Sequence, residues 1–261
     1  MARWQTWYRL PRLLAAVPGL LLTAWTLAPA ASAQAEGRPE ETRLIDCPTA
    51  GLVDRGQFAL GLRLSGNGGV LAQIDAGVLT RLNIGVAYGG GKVIGDGAVD
   101  WNPRLEASAR YRLVQESRAL PALLVGYETQ GYGEYRDRRY RNKSRGLFVS
   151  LSKNYLHPMG QIGFHAGANL SREDEDGDDD PSGWVGVDAT VNDELTVVGE
   201  YDLALNDNGP TSLGSGKGYL NAGVNWAVVP QLRITAYLKN LLENGEPDLS
   251  RELSVTYSEE F

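Results

Sequence analysis

Two histidines are the residues of this chain best suited to acid–base chemistry. His165 lies between Phe164 and Ala166, in a segment where apolar and polar residues alternate, and His157 lies next to Pro158. A serine hydrolase needs a Ser and a carboxylate within reach of its His, and neither histidine has both at a recognisable spacing. We therefore expect a non-enzymatic protein in which His165 pairs with a neighbouring carboxylate.

Two segments carry dense charge of opposite sign. The acidic run 173–180 lacks the ligand spacing of an EF-hand, so we expect a solvated loop with no metal or other cofactor. Binding of Ca²⁺, or bridging to lipopolysaccharide through divalent ions, is the alternative. The basic run 132–145 contains tyrosines, and Arg and Tyr together bind acidic groups and stack on sugar rings. It is a candidate contact for polysaccharide or lipopolysaccharide, and pairing with the acidic run is the alternative. The candidate contact residues are Arg136, Arg138, Arg139, Tyr140, Arg141 and Lys143.

Composition excludes several classes of protein. The 261 residues include 25 Lys and Arg against 32 Asp and Glu, and the resulting net charge of −7 gives no general attraction to nucleic acid. A single cysteine, Cys47, cannot form an internal disulfide. Glycine contributes 32 residues, well above the average share of about 7%. This excess favours turns and closely packed strands.

The first 33 residues have the pattern of a secretory signal peptide. Basic residues precede an apolar stretch over 13–28, and small residues at 31–33 fit a signal peptidase site. A transmembrane anchor is the alternative, but the stretch is shorter than the ~20 residues that a spanning helix needs, and Pro18 interrupts it. After cleavage we expect a periplasmic N-terminal lead over 34–55 and a β-barrel over 56–261.

The rest of the chain alternates between apolar and polar residues with a period of two, which predicts β-strands. The apolar face includes small residues such as Ala107 and Ala166, which lipid accepts more readily than a packed soluble core does. Short and long connections also alternate, as in outer-membrane barrels. The alternating segments lie near 57–64, 70–78, 82–88, 105–113, 121–128, 145–152, 161–170, 184–191, 195–205, 218–226, 231–240 and 251–261.

We therefore predict an all-β fold, namely a transmembrane antiparallel outer-membrane β-barrel of about 12 strands. Ten or fourteen strands, and a soluble β-sandwich or calycin-like barrel, are the alternatives. In a membrane barrel the polar face turns towards the lumen, where charges of both signs seal the barrel or line a narrow hydrated path. The predicted lumen-lining residues are Arg63, Asp75, Glu106, Arg110, Arg112, Glu128, His165, Asp188, Glu200, Asp202, Arg233 and Lys239.

The last alternating segment ends in Phe261, with Leu253, Val255 and Tyr257 on its apolar face. Such an ending resembles the signal by which the barrel-assembly machinery recognises bacterial outer-membrane barrels, although Glu259 interrupts the apolar pattern. We expect an outer-membrane location in a Gram-negative-type envelope. The expected partners are outer-membrane lipid, lipopolysaccharide and the barrel-assembly machinery, with polysaccharide as a further candidate and no nucleic acid.

Residues 44–65 contain the sequence Pro-Thr-Ala-Gly-Leu, followed by an apolar residue, Asp, one variable residue and Gly. This lead into the first strand resembles the YjbH-like outer-membrane proteins, a family linked to exopolysaccharide production. The resemblance implies a barrel associated with exopolysaccharide production or export, with a narrow channel as one option. A structural or interaction barrel whose surface loops bind lipopolysaccharide or polysaccharide without transport is the alternative.

Overall fold

The computed structural model describes residues 28–29, 40–158, 160–245 and 249–261. Within these ranges no helix is both long enough and apolar enough to cross a membrane. Apart from the pair 28–29, the signal peptide predicted for the first 33 residues lies outside the described ranges. The signal peptide and its cleavage therefore stay predictions.

Twelve antiparallel strands form one closed sheet, as the sequence predicted. Each strand pairs with the next along the chain, and the last strand pairs with the first to close the barrel. In chain order the strands are β1 (Gln57–Leu64), β2 (Val70–Leu79), β3 (Leu82–Gly91), β4 (Glu106–Val114), β5 (Ala122–Glu128), β6 (Gly146–His157), β7 (Gly160–Leu170), β8 (Ser182–Thr190), β9 (Leu195–Asp202), β10 (Tyr219–Val229), β11 (Leu232–Lys239) and β12 (Ser250–Glu260).

The outer face of the barrel is apolar and its inner face is polar. On β1, Leu60 and Leu62 are 47% and 42% exposed, whereas Arg63 is 9% exposed. On β9, Val197 is 46% exposed and Glu200 only 2%. A closed sheet satisfies its own backbone hydrogen bonds, and an apolar outer band matches the hydrocarbon of a bilayer. The protein is therefore an outer-membrane β-barrel.

The two ends of the barrel differ in the length of their connections. Both chain ends of the barrel and the short turns lie at one end, which we call the turn end. Most of the longer connections lie at the other end, the loop end, although its connection 65–69 is shorter than the connection 115–121 at the turn end. In barrels of this kind the turn end faces the periplasm and the loop end faces the outside. The connections at the loop end span 65–69, 92–105, 129–145, 171–181, 203–218 and 240–249.

The basic run forms a small hairpin at the loop end. Its strands are Tyr132–Arg136 and Arg139–Asn142, and they pair outside the barrel sheet. The two residues between them, Asp137 and Arg138, have positive φ angles of 51° and 65°. Such angles are required at the two central positions of a type I′ turn, the tightest connection between twisted strands. We call this element the outer hairpin.

Residues 40–55, which we call the plug, enter the barrel: residues 44–52 are buried in it, and Asp54 and Arg55 are exposed. Leu44, Ile45, Cys47 and Leu52 are at most 4% exposed. The sequence predicted a lead in the periplasm, and the structure differs because this segment finds apolar partners on the lumen wall. Those partners are Ala122, Leu124, Phe148, Trp184, Val198 and Tyr237.

Candidate functional site

The carboxylate of Glu200 on β9 holds the middle of the plug. It accepts hydrogen bonds from the backbone N–H groups of Ile45 at 3.0 Å, Asp46 at 2.9 Å and Cys47 at 2.9 Å. The side-chain amide of Asn221 donates a further bond to it at 2.9 Å. Three consecutive backbone amides thus share one acceptor, so the wall fixes the path of the plug whatever side chains it carries.

A second group of wall residues holds the Pro-Thr-Ala-Gly-Leu part of the plug. Arg112 donates to the carbonyl oxygen of Ala50 at 2.9 Å, and the N–H of Ala50 donates to the hydroxyl oxygen of Ser152 at 2.8 Å. The indole N–H of Trp184 donates to the carbonyl oxygen of Pro48 at 3.1 Å. These bonds again involve backbone groups of the plug, which need partners once they are buried.

Ser152 also begins a hydrogen-bonded relay that sequence spacing did not reveal. Its hydroxyl lies 2.8 Å from Nδ1 of His165, and Nε2 of His165 lies 2.7 Å from Asp188. The expected pairing of His165 with a carboxylate is therefore present, and a Ser completes it. These residues lie on β6, β7 and β8. The plug covers the hydroxyl, because the N–H of Ala50 donates to it, so in this state the relay supports the plug.

Four charged side chains meet where the plug turns past β1 and β11. Asp46 of the plug lies 2.8 Å from the guanidinium of Arg63 and 2.7 Å from the ammonium of Lys239. Glu252 on β12 lies 2.6 Å from Arg63 and 3.5 Å from Lys239. All four groups are at most 10% exposed. Buried charges of this kind need partners, and here two cations share two carboxylates.

Two cavities lie beside the plug, along the wall formed by β1 and β2. The larger, of about 120 Å³, extends from Arg63 towards the turn end, and the smaller, of about 40 Å³, lies towards the loop end. They share Arg63, Leu71 and Tyr132 as lining residues. The ring of Tyr132 lies against Arg63, 4.4 Å from its guanidinium carbon. Arg63 and Tyr132 therefore separate two cavities that reach towards opposite ends of the barrel.

All twelve predicted lumen residues lie on the inner face, and all except the half-buried Arg233 are at most 9% exposed. Five of them bond to wall or loop side chains, namely Asp75, Glu106, His165, Asp188 and Asp202. The other seven bond directly to the plug, namely Arg63, Arg110, Arg112, Glu128, Glu200, Arg233 and Lys239.

The outer hairpin and its flanks pair with the acidic run. Lys143 lies 2.7 Å from Asp176, and Arg139 forms an ion pair with the same carboxylate. All three side chains are buried. Arg138 pairs with Glu175 at 2.7 Å, but this pair is exposed to solvent. Of the two alternatives for the basic run, the structure contains the internal pairing. Binding of polysaccharide or lipopolysaccharide by this run stays a prediction.

The remaining candidate contact residues of the basic run have different surroundings. Tyr140 is buried, and its hydroxyl donates to Glu106 at 3.1 Å. Arg141 is half-buried and Arg136 is exposed. Only Arg136 and Arg138 of the six candidates are exposed to an external ligand. In the described ranges, which include the whole acidic run, no group of three or more His, Cys, Asp or Glu side chains could hold a metal ion.

Glu173 connects the acidic run to the outer hairpin and its flank. Its carboxylate accepts the backbone N–H groups of Ser144 at 3.0 Å and Tyr140 at 3.3 Å. The residue is 4% exposed. Burial raises the pKa of Glu173 to about 7, and the two backbone hydrogen bonds oppose that rise only in part. The loop end therefore contains a carboxyl group that titrates near neutral pH.

The solved structures that align with this chain include outer-membrane porins and another outer-membrane protein. The KdgM porin aligns with a TM-score of 0.47 at 8% identity over 77% of this chain and 98% of that one. Omp33 of Acinetobacter baumannii gives 0.44 at 12% identity over 78% and 98%, and the NanC porin gives 0.40 at 9% identity over 78% and 98%. No family model and no curated protein matches the sequence. The fold therefore rests on the strand pairing, and the YjbH-like family stays a prediction.

Proposed function

We propose that this outer-membrane barrel is a narrow gated channel, closed by its plug in the described state, and that it serves exopolysaccharide production or export without catalysing a reaction. One observation supports the channel: along the β1–β2 wall, only Arg63 and Tyr132 and their neighbours lie between one cavity on the turn-end side and another on the loop-end side. A barrel whose plug serves only to stabilise it needs no cavity on both sides of the closure.

The exopolysaccharide role is supported by the resemblance of residues 44–65 to YjbH-like proteins. In the structure, most of this motif belongs to the plug. Its Pro48, Ala50 and Leu52 lie against the lumen wall, and its Gly51 fits where an added Cβ would lie 2.1 Å from the carbonyl oxygen of Glu41. The residues that carry the resemblance are thus the residues that close the proposed channel.

The contacts of the plug suit a gate. Its bonds to Glu200, Arg112 and Ser152 are polar and involve backbone groups, and water can hydrogen-bond to these groups once the plug moves. Its apolar contacts are few compared with those of a protein core. Joining the two cavities into one path also requires the ring of Tyr132 to move away from Arg63, because these two residues separate them.

Single-channel recording in planar bilayers tests the proposal. We expect the wild-type protein to be closed most of the time. Tyr132→Ala removes the ring beside Arg63 and should raise the open probability or the conductance severalfold. Tyr127→Ala is the matched control, because this tyrosine lies on the lipid face and is 42% exposed. A silent Tyr132→Ala protein that is correctly folded would contradict the channel.

A structural or interaction barrel is the second candidate, and the loop end favours it. The loops there are tied together by buried ion pairs, and this rigid surface presents Arg136 and Arg138 outwards. The double variant Arg136→Gln, Arg138→Gln should then reduce binding to lipopolysaccharide vesicles. Lys153→Gln, on β6 outside the outer hairpin, is the control. Reduced binding together with absent conductance in every variant would establish this candidate over the channel.

A further inference from the structure

The plug residue Asp46 occupies a site on the lumen wall that is built for a carboxylate. Arg63 and Lys239 approach its two oxygens separately, at 2.8 Å and 2.7 Å. Asp46 itself is 1% exposed, while the two cations come from β1 and β11 and not from the plug. Two buried cations on one carboxylate give a strong, geometrically defined anion site.

Aromatic rings complete this site. The guanidinium carbon of Arg63 lies between the rings of Tyr132, at 4.4 Å, and Tyr237, at 4.9 Å. The ammonium of Lys239 lies 5.3 Å from the ring of Tyr132. Cations beside flat aromatic surfaces are the combination that binds a carboxylate on a sugar ring, since the ring stacks while the carboxylate pairs.

The larger cavity continues from this site towards the turn end. Its lining offers side-chain hydroxyl and amide groups, which hydrogen-bond the hydroxyls of a saccharide. These groups belong to Gln57, Gln73, Asn225, Thr235, Ser254, Thr256 and Ser258. A cavity of about 120 Å³ holds a few water molecules in the plugged state, and withdrawal of the plug enlarges it.

Two further carboxylates of the plug also pair with cations of the wall. Glu41 lies 2.5 Å from Arg233 on β11, and Glu40 forms an ion pair with Arg112 on β4. With Asp46, the plug thus presents three carboxylates to wall cations. The plug also carries the basic Arg43, which pairs with Glu128 of the wall at 3.2 Å, but its contacts with wall cations are those of a short acidic segment.

We propose that Arg63, Lys239, Tyr132 and Tyr237 form a binding site for an acidic saccharide, such as a uronate chain, and that Asp46 holds this site as an internal competitor. The inference rests on the proposed channel, because it names the ligand class that the channel takes. When Asp46 leaves, two cations face only Glu252, and the site gains a net positive charge that a uronate carboxylate neutralises.

Isothermal titration of the detergent-solubilised full chain tests this assignment, with a glucuronic acid trisaccharide as the probe. Asp46→Asn removes the competing charge at nearly constant shape and should tighten binding at least ~10-fold over the wild type, a difference of about 1.4 kcal/mol. Asp202→Asn is the matched control. That carboxylate is also buried in the lumen, but it pairs with Arg145, away from the cavity. It should give no gain.

Specificity for charge is tested in the same titration. An uncharged glucose trisaccharide should bind weakly to every variant, and Lys239→Gln in the Asp46→Asn background should abolish the gain for the acidic probe. Equal affinities of wild type and Asp46→Asn for the acidic probe would overturn the assignment. An equal gain for the uncharged probe would overturn it too, since it would show that only space had been created.

If Asp46→Asn does not fold, hydrogen exchange of the wild-type chain tests the same assignment. The acidic trisaccharide should displace Asp46 and speed the hydrogen exchange of the plug amides at 45–47, while the uncharged one should not. Equal exchange with both would overturn the assignment. The outcome is separable from that of the channel: acid-selective binding without conductance contradicts only the channel, and conductance without acid selectivity contradicts only the site.

Discussion

At the scale of single residues, Glu200 shows how one carboxylate fixes a peptide segment without contacting its side chains. It accepts three consecutive plug amides at 2.9–3.0 Å. Hydrogen bonds to a charged group contribute roughly 1.5–3 kcal/mol each. Glu200→Gln keeps the shape but points an N–H₂ donor at those amides. We expect the hydrogen exchange of residues 45–47 to accelerate at least ~10-fold, about 1.4 kcal/mol, as measured by mass spectrometry.

Asp75→Asn is the control for this prediction. Asp75 is likewise a buried carboxylate of the lumen, 9% exposed, but it accepts bonds from Gln73 and Ser108 of the wall. Because its hydrogen bonds go to the wall, its loss should leave plug exchange within a factor of about two of the wild type, about 0.4 kcal/mol. Equal acceleration in both variants would mean that any lost lumen charge loosens the barrel, and that Glu200 has no special part in holding the plug.

Glu173 gives the loop end a dependence on pH. Its pKa in the folded protein is about 7 because it is buried, above the ordinary value of 4.5. Since the folded state holds the proton more tightly than the unfolded state, the stabilisation is complete below pH 4.5 and is lost as the pH rises through 7. The amides of Tyr140 and Ser144 should therefore exchange faster at pH 8.5 than at pH 5.5, after correction for intrinsic rates.

The matched variant for this titration is Glu173→Gln, which has no charge to bury at any pH. Its corrected exchange rates at residues 140 and 144 should be the same at both pH values. Glu175→Gln, which changes an exposed carboxylate of the same run, should keep the wild-type dependence. If Glu173→Gln retained that dependence in full, another group would be responsible for it.

Side-chain alternation predicted which residues face the lumen, but not what they contact. Arg63 and Glu200 could be assigned to the inner face because polar and apolar residues alternate on β1 and β9. Their partners are 17 and 154 positions away in the chain, and only the docking of the plug brings them together. The relay through Ser152 and His165 could not be predicted from spacing either, because it depends on the register of β6 with β7.

At the scale of elements, the acidic run holds the outer hairpin in place through buried ion pairs. Asp176 pairs with Arg139 and Lys143, and all three side chains are buried. Arg139 also pairs with the buried Asp207 at 2.9 Å, so the loss of Asp176 falls mainly on Lys143. Breaking a buried ion pair by removing one partner typically costs about 3–5 kcal/mol. Asp176→Asn should therefore release the hairpin, and limited proteolysis with trypsin should then cut within residues 136–145 several times faster.

Glu175→Gln is the control for Asp176→Asn. It breaks only the exposed pair with Arg138, and exposed pairs are worth about 0–1 kcal/mol. Its cleavage rate should stay close to that of the wild type. Equal cleavage of both variants would show that the acidic run holds the hairpin by its overall charge and that the buried geometry is unimportant.

The elements themselves were predictable to different degrees. All twelve strands follow from alternation, because each has one face in lipid and one in a polar lumen. The plug was misplaced in the periplasm because its buried apolar side chains lie in an irregular segment without alternation, which gives no signal of what covers them. The outer hairpin was not recognised as paired strands, since its charged and aromatic residues follow no two-residue pattern.

At the scale of the whole molecule, the distribution of polarity is reversed relative to a soluble protein. The charged residues fill the interior, and leucines and valines cover the wall outside. The lumen is nevertheless packed, since the plug pairs its backbone with the wall and its carboxylates with wall cations. Closure by β12 on β1 leaves no unpaired edge along the wall. The barrel therefore depends on lipid for its outer face and on its own N-terminal segment for its inner one.

This reversal leads to a test that uses two leucines of equal exposure. Leu62 lies on the outer face of β1 and is 42% exposed, while Leu213 lies in the loop 203–218 and is 43% exposed. In a soluble protein, Arg at either position would change stability little. In a bilayer, Arg on the lipid face costs about 2–4 kcal/mol near the midplane. Leu62→Arg should therefore destabilise the barrel in urea titrations in lipid vesicles, and Leu213→Arg should not. A folded barrel runs faster on a denaturing gel before heating than after it, and Leu62→Arg should lose this faster migration at a lower temperature than the wild type. Equal stability of the two variants would contradict lipid contact at β1.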